Sequence, residues 1–178
     1  MAWTAPRTWV TGEIVTAALM NTHLRDNMLD IDSRLNADTV VTVVAESSDT
    51  HNSTTVKTDD ELTLPVLANT RYTFEAIVSF AAPAATDFRH QFIGPSGSTV
   101  RWVTTGIDPA GSPSGVFFAS TSTVTVAGTD GLTLLMTAQG FVFVDSTPGF
   151  FSFNFGTGTG TSTVTREAGS KLTITKAA

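Results

Sequence analysis

The chain has 178 residues, 41% of them hydrophobic and 15% charged, enough apolar material for one packed domain and an appendage. A formal charge of −6, a pI near 4.8 and ten basic residues scattered along the sequence argue against nucleic-acid binding. The lack of cysteine excludes disulfides, thiolate metal sites and a cysteine nucleophile, and no run approaches the roughly 20 apolar residues of a membrane span.

Residues 1–15 read as an extended arm, because Pro6 and Gly12 interrupt any helix there. Trp3, Trp9 and Val10 are large apolar groups that a lone arm cannot bury, so they are expected to dock on another surface. No basic start followed by an apolar run marks a signal peptide, so the protein is expected to stay where it is made.

Residues 16–37 read as a helical stem. Thr16 suits an N-cap before good helix formers. Ala17, Leu24, Met28, Ile31 and Leu35 recur at spacings of seven, four, three and four, a coiled-coil-like seam with the polar Asn21 at one core position. Asp30 and Arg34 can pair on the opposite side. Fewer than three heptads fit, so an amphipathic helix packed on its own domain stands as the alternative.

Residues 38–178 read as an antiparallel β-sandwich, jelly-roll-like, making the chain mainly β. The clearest strand is 71–80, where Tyr72, Phe74, Ala76, Val78 and Phe80 share one face. Phe88, His90 and Phe92 alternate in another strand, Arg101 and Trp102 point to opposite faces in a third, and Phe151, Phe153 and Phe155 line a fourth. Two short runs around Asp59-Asp60-Glu61 suggest a hairpin with a solvated acidic tip, and Pro65 suggests an edge strand. Gly140 is expected to turn or bulge the chain between 132–138 and 141–144. Glu167-Ala168-Gly169-Ser170 is expected to join the last two strands as a hairpin.

Little in the sequence suggests chemistry. His23, His51 and His90 lie in separate contexts with no zinc-binding spacing, and His90 reads as a core or interface group. The acidic triplet could hold calcium or serve as a carboxylate pair, but adjacent strand residues point to opposite faces and a solvated tip is the stronger reading. The Gly156–Gly160 run precedes a strand, so it lacks the helix N-terminus that phosphate binding uses. No catalytic residue, metal or cofactor is expected.

One segment carries a family resemblance. PRTWVTGEIVTAALMNTHLRDN, residues 6–27, resembles the N-terminus of tailed-phage virion proteins of the minor-tail, tail-fibre or head-associated kind from phages infecting actinobacteria. The matching features are Trp9, Gly12-Glu13, Thr16-Ala17-Ala18, Met20-Asn21 and Leu24 to Asn27. Residues 61–76 and 164–176 resemble strands of β-sandwich modules in such fibres more loosely, and 85–150 resemble nothing identified. The resemblance implies a structural, trimeric protein made in the host bacterial cytoplasm and carried on the virion. It implies no catalytic residues. Trp3, Pro6, Trp9 and Val10 would anchor the arm to another virion protein. Ala17, Asn21, Leu24, Met28, Ile31 and Leu35 would line the homotrimer stem. A fibre or spike with an outward sandwich, meeting a host cell-surface glycan or protein, and a capsid decoration protein are nearly level readings. A polysaccharide-binding or polysaccharide-degrading tip is the weaker one.

Overall fold

The computed structural model describes residues 8, 11–29, 40–107, 113–114, 123–126, 128, 132–159 and 162–177. The chain divides into two units, one before Val40 and one spanning Val40–Ala177.

In the first unit Thr16 caps the helix as its type predicts: its backbone is extended and its hydroxyl accepts from the Leu19 N–H at 3.3 Å. Helix α1, Ala17–Met20, then widens into a π-helical turn, Asn21–Arg25, before helical backbone resumes through residue 29. The Asp26 N–H reaches back five residues to the Asn21 carbonyl. The extra residue in this turn breaks the regular heptad that the spacing predicts, since a seven-residue repeat needs α-helical phase throughout. Residues four apart come into line instead. Ile31 and Leu35 of the predicted seam, the Asp30–Arg34 pair, and Trp3, Pro6, Trp9 and Val10 of the arm lie outside the described residues.

The second unit holds twelve described strands: β1 Val40–Val44, β2 Asp49–His51, β3 Lys57–Val66, β4 Arg71–Ala81, β5 Phe88–Ile93, β6 Thr99–Ile107, β7 Pro113–Ser114, β8 Val124–Val126, β9 Thr133–Phe143, β10 Gly149–Thr157, β11 Val164–Arg166 and β12 Lys171–Lys176. The larger sheet runs β1-β12-β4-β9-β6-β7, with β11 also on β4 and β2 on β11; the smaller runs β3-β10-β5-β8. Every pairing is antiparallel. β3 is a sheet edge, where Pro65 costs no ladder hydrogen bond.

The two sheets face each other across an aromatic core. Tyr72, Phe74, Ala76, Val78 and Phe80 of β4 are all buried, as their alternation predicts. The Phe74 ring lies 4.8 Å from both Phe92 on β5 and Phe151 on β10; Phe80 stacks 4.4 Å from Phe88, and Trp102 meets Phe92 edge-on at 5.6 Å. Each such pair adds about 0.5–1.5 kcal/mol beyond its area burial.

Three local expectations are corrected. The acidic triplet is no hairpin tip but a bulge inside the continuous strand β3. Ser152 pairs with Thr63 and Asn154 with Thr58, so residues 59–62 lie opposite Phe153 alone. Asp59 Oδ1 accepts the Glu61 and Leu62 N–H groups at 3.0 and 2.9 Å and ties the bulge. Gly140 sits mid-strand in β9, between Phe74 and Trp102 in register. A β-carbon there would lie 2.1 Å from the Arg101 carbonyl oxygen and 2.7 Å from Phe74 Cε1, so the glycine makes room for the core ring rather than a turn. Finally, β11 and β12 do not pair with each other. Both run along the same edge of β4, Arg166 opposite Phe80 and Lys171 opposite Ile77, while residues 167–170 bulge out between them. Gly169 takes φ +84° there, and Ser170 Oγ accepts from the Ser79 N–H at 3.0 Å.

Candidate functional site

The stem helix carries apolar side chains that nothing among the described residues covers. Leu24 is 47% exposed and Met28 68%, and Ala17 and Asn21 are also exposed. Met20 and Leu29 join them. With Asn21, Leu24, Arg25 and Met28 they line one open groove of about 630 Å³. The π-helical turn makes this arrangement by setting Met20, Leu24 and Met28 in one row and Asn21, Arg25 and Leu29 in the next. Burying such a face against a like surface gains roughly 25 cal/mol per Å² of apolar area. Among the described residues of the predicted seam, then, all four lie on the exposed surface, and Leu24, Met28 and Asn21 share the groove.

A second cluster lies in the body, where a solvated acidic tip was expected. Asp59 and Arg166 are fully buried, and Arg166 joins β11 in the larger sheet to β3 in the smaller. Its Nε donates to Asp59 Oδ2 at 2.5 Å, its Nη2 to Asp59 Oδ1 at 3.1 Å and Glu61 Oε2 at 2.9 Å, and its Nη1 to the Ser47 carbonyl. Glu61 Oε1 also accepts the Glu46 and Ser47 N–H groups at 3.1 and 3.2 Å. Desolvation pulls the Glu61 carboxyl up, but the bonds from Arg166, Glu46 and Ser47 outweigh it and hold it below the usual carboxylate value. Desolvation likewise pulls Arg166 down, and its two carboxylate partners more than restore it. The carboxylates are thus committed to a guanidinium and to backbone N–H groups. The cluster joins the two sheets. Among the described residues no group of three or more His, Cys, Asp or Glu side chains is placed to hold a metal ion.

The histidines stand apart from both. His90 is fully buried, with Nε2 2.9 Å from Thr104 Oγ1 and its ring stacked between Phe88 and Phe153. Its Nδ1 has no hydrogen-bond partner among the described residues. Desolvation pushes its pKa down to about 3, so the ring is neutral at physiological pH. His51 Nε2 lies 2.8 Å from the Thr55 carbonyl and its ring meets Phe155 edge-on. His23 is half-buried on the stem.

No protein-family model and no curated protein matches the sequence. Solved structures to which the chain is similar include virus particle proteins. The infectious bursal disease virus Gt strain aligns over 80% of this chain and 38% of that one, at 10% identity and a TM-score of 0.22. The VP2 subviral particle of the same virus aligns over 79% and 38%, at 8% identity and 0.21. Its T13 viral particle aligns over 79% and 38%, at 11% identity and 0.28. The chain therefore spans well under half the length of these proteins. At such TM-scores the backbones do not superpose as one fold, so the likeness carries neither fold nor function to this chain.

Sequence reasoning missed Arg166, Met20 and Leu29. Met20 and Leu29 were visible as i, i+4 neighbours of Leu24 and Arg25, but a strict seven-residue repeat leaves them off the seam. Arg166 had no local signal. Among the described residues no helix is long and apolar enough to cross a membrane.

Proposed function

We propose that the chain is a structural protein of a tailed-phage virion: a homotrimer joined at its stem, anchored by its arm, with the sandwich facing outward as a fibre or spike. The observation that carries this reading is the exposed Met20–Leu24–Met28–Leu29 face on a capped helix, in the same segment that resembles virion-protein N-termini. Asn21 beside it supplies the polar group that sets register in a helical bundle. Ala17, Ile31 and Leu35 extend the same contact in this reading, and Trp3, Pro6, Trp9 and Val10 hold the arm to a neighbouring virion protein.

The body supports a carrier role. Counting β1, β3, β4, β5, β8, β9, β10 and β12 as strands one to eight, the sheets read 1-8-3-6 and 2-7-4-5, the order of a jelly roll, with β6 and β7 added at one edge. In this reading the protein works by binding and not by catalysis and uses no cofactor, and the commitment of Asp59, Glu61 and Arg166 to joining the sheets supports it. Head decoration is the same architecture with a capsid neighbour in place of a tail neighbour.

Mass measurement in solution tests the assembly. A trimer is expected, and a stable monomer at micromolar concentration overturns it. Deleting residues 1–12 tests the anchor: a soluble trimer absent from particles is expected, and normal incorporation refutes arm anchoring. Gold-labelled antibody on intact particles separates tail from head.

A further inference from the structure

We propose that the outer face of the larger sheet carries a site for an anionic saccharide, centred on Phe141 and Phe143 of β9 and bracketed by Arg71 and Arg101. The inference rests on the reading of the body as the outward part of a virion protein. Phe141 and Phe143 are two apart and so point the same way, away from the core that the intervening Val142 enters. Their ring centres are 4.9 Å apart, and Phe143 is 37% exposed. In register, Arg71 on β4 lies opposite Phe143, and Arg101 on β6 lies opposite Phe141. One cation therefore flanks the aromatic pair from each neighbouring strand.

The patch combines outward-facing aromatic rings with two unpaired cations. The chain carries −6 overall, yet among the described residues neither arginine has a carboxylate within 4.0 Å, unlike Arg166, Lys57 and Arg25, which are each paired. Arg71 instead lies over the Phe143 ring, 4.9 Å from its centre, which orients the guanidinium and leaves its N–H edge for a ligand. An open cleft of about 510 Å³ adjoins the pair, lined among others by Asn69, Arg71, Thr99 and Asp145. Rings that pack against sugar C–H faces, a guanidinium for a carboxylate or phosphate, and amide, hydroxyl and carboxylate groups for sugar hydroxyls make one coherent donor set.

The test is calorimetric titration of the intact protein with an oligogalacturonate and with a glycosylated glycerol-phosphate oligomer. The two distinguish carboxylate from phosphate as the anion. Maltohexaose and polyglutamate serve as the neutral-sugar and sugar-free controls. Binding of one anionic saccharide is expected, weakened by added salt and by about tenfold in Arg71→Ala and in Arg101→Ala. Phe143→Leu should weaken it while the thermal melt stays unchanged. No binding of either anionic saccharide at millimolar concentration overturns the proposal. So does equal binding of polyglutamate or maltohexaose, or undiminished binding by the double arginine variant. Sedimentation of the same samples keeps the two readings apart, because a monomer that binds refutes only the trimer and a trimer that does not bind refutes only the site.

Discussion

Arg166 on β11 and Asp59 on β3 form a two-bonded ion pair, Nε to Oδ2 at 2.5 Å and Nη2 to Oδ1 at 3.1 Å, between two sheets and out of reach of solvent. Removing one partner of such a pair leaves the other charge buried and unpaired, at a cost of about 3–5 kcal/mol. Asp59→Asn should therefore lower the melting temperature on the order of 10 °C. Replacing both partners with apolar residues should recover most of that loss. Urea melts of the two single variants and the double variant check this; a single-variant loss under about 1 kcal/mol would contradict the buried pair.

His90 predicts an acid-side loss of stability. Its folded pKa is about 3 against 6.5 for the free side chain, so between those values the unfolded chain binds a proton that the folded one does not. Stability from this group is full above pH 6.5 and falls by about 1.4 kcal/mol per pH unit as pH drops toward 3. Glu61, whose folded pKa is also lowered, contributes stability that is lost only in the lower window, below the 4.5 of a free glutamate. Melts between pH 7 and 5 thus isolate the histidine. His90→Phe should flatten that stretch of the profile, and an unchanged slope would place the titrating group elsewhere.

Gly140→Ala puts a methyl group against a backbone carbonyl and a core ring, neither of which can swing aside. A loss of about 1–3 kcal/mol is expected, read as an earlier chemical-denaturation midpoint with unchanged slope. An alanine variant as stable as the parent would mean that β9 does not approach Phe74 so closely.

Met28→Asp bears on assembly alone. Met28 is 68% exposed in one chain, so the substitution should not touch the fold of the body. In a trimer it would bring three carboxylates together in an apolar seam, at a severe desolvation cost. The expected result is a folded monomer with an unchanged body melt; a trimer of wild-type stability would remove Met28 from the interface.

Period-2 alternation made the central parts of the body legible. The faces of β4 and β5 follow from Phe74, Phe80 and Phe88 at alternate positions, because their more buried face leaves that pattern in the sequence itself, and in β10 the rings of Phe151, Phe153 and Phe155 alternate although both faces are buried. The misread places share one cause: each depends on a partner far along the chain. Three acids in a row look solvated until Arg166, 107 residues from Asp59, is brought to them. Gly140 looks like a breaker until the Phe74 ring is laid over it. The run Glu167–Ser170 looks like a hairpin until β4 is seen to take both flanking strands. On the stem, Thr16 announced its cap by residue type, whereas the π-helical turn has no comparable residue signature.

The pairing of β1 with β12 bears on synthesis. β12 is the only sheet neighbour of β1 among the described residues, and the Thr42 and Thr173 hydroxyls that meet across them at 2.9 Å are 131 residues apart. While the ribosome is still upstream of Lys171, β1 has no strand to pair with and β4 has β9 on one side only along residues 72–77. The helix, built from contacts within a few residues, can form as soon as it emerges. Nascent chains would thus expose unpaired strand edges until the last strands arrive, the state most open to aggregation. A premature stop anywhere before β12 should be felt as loss of the whole body rather than of its final segment.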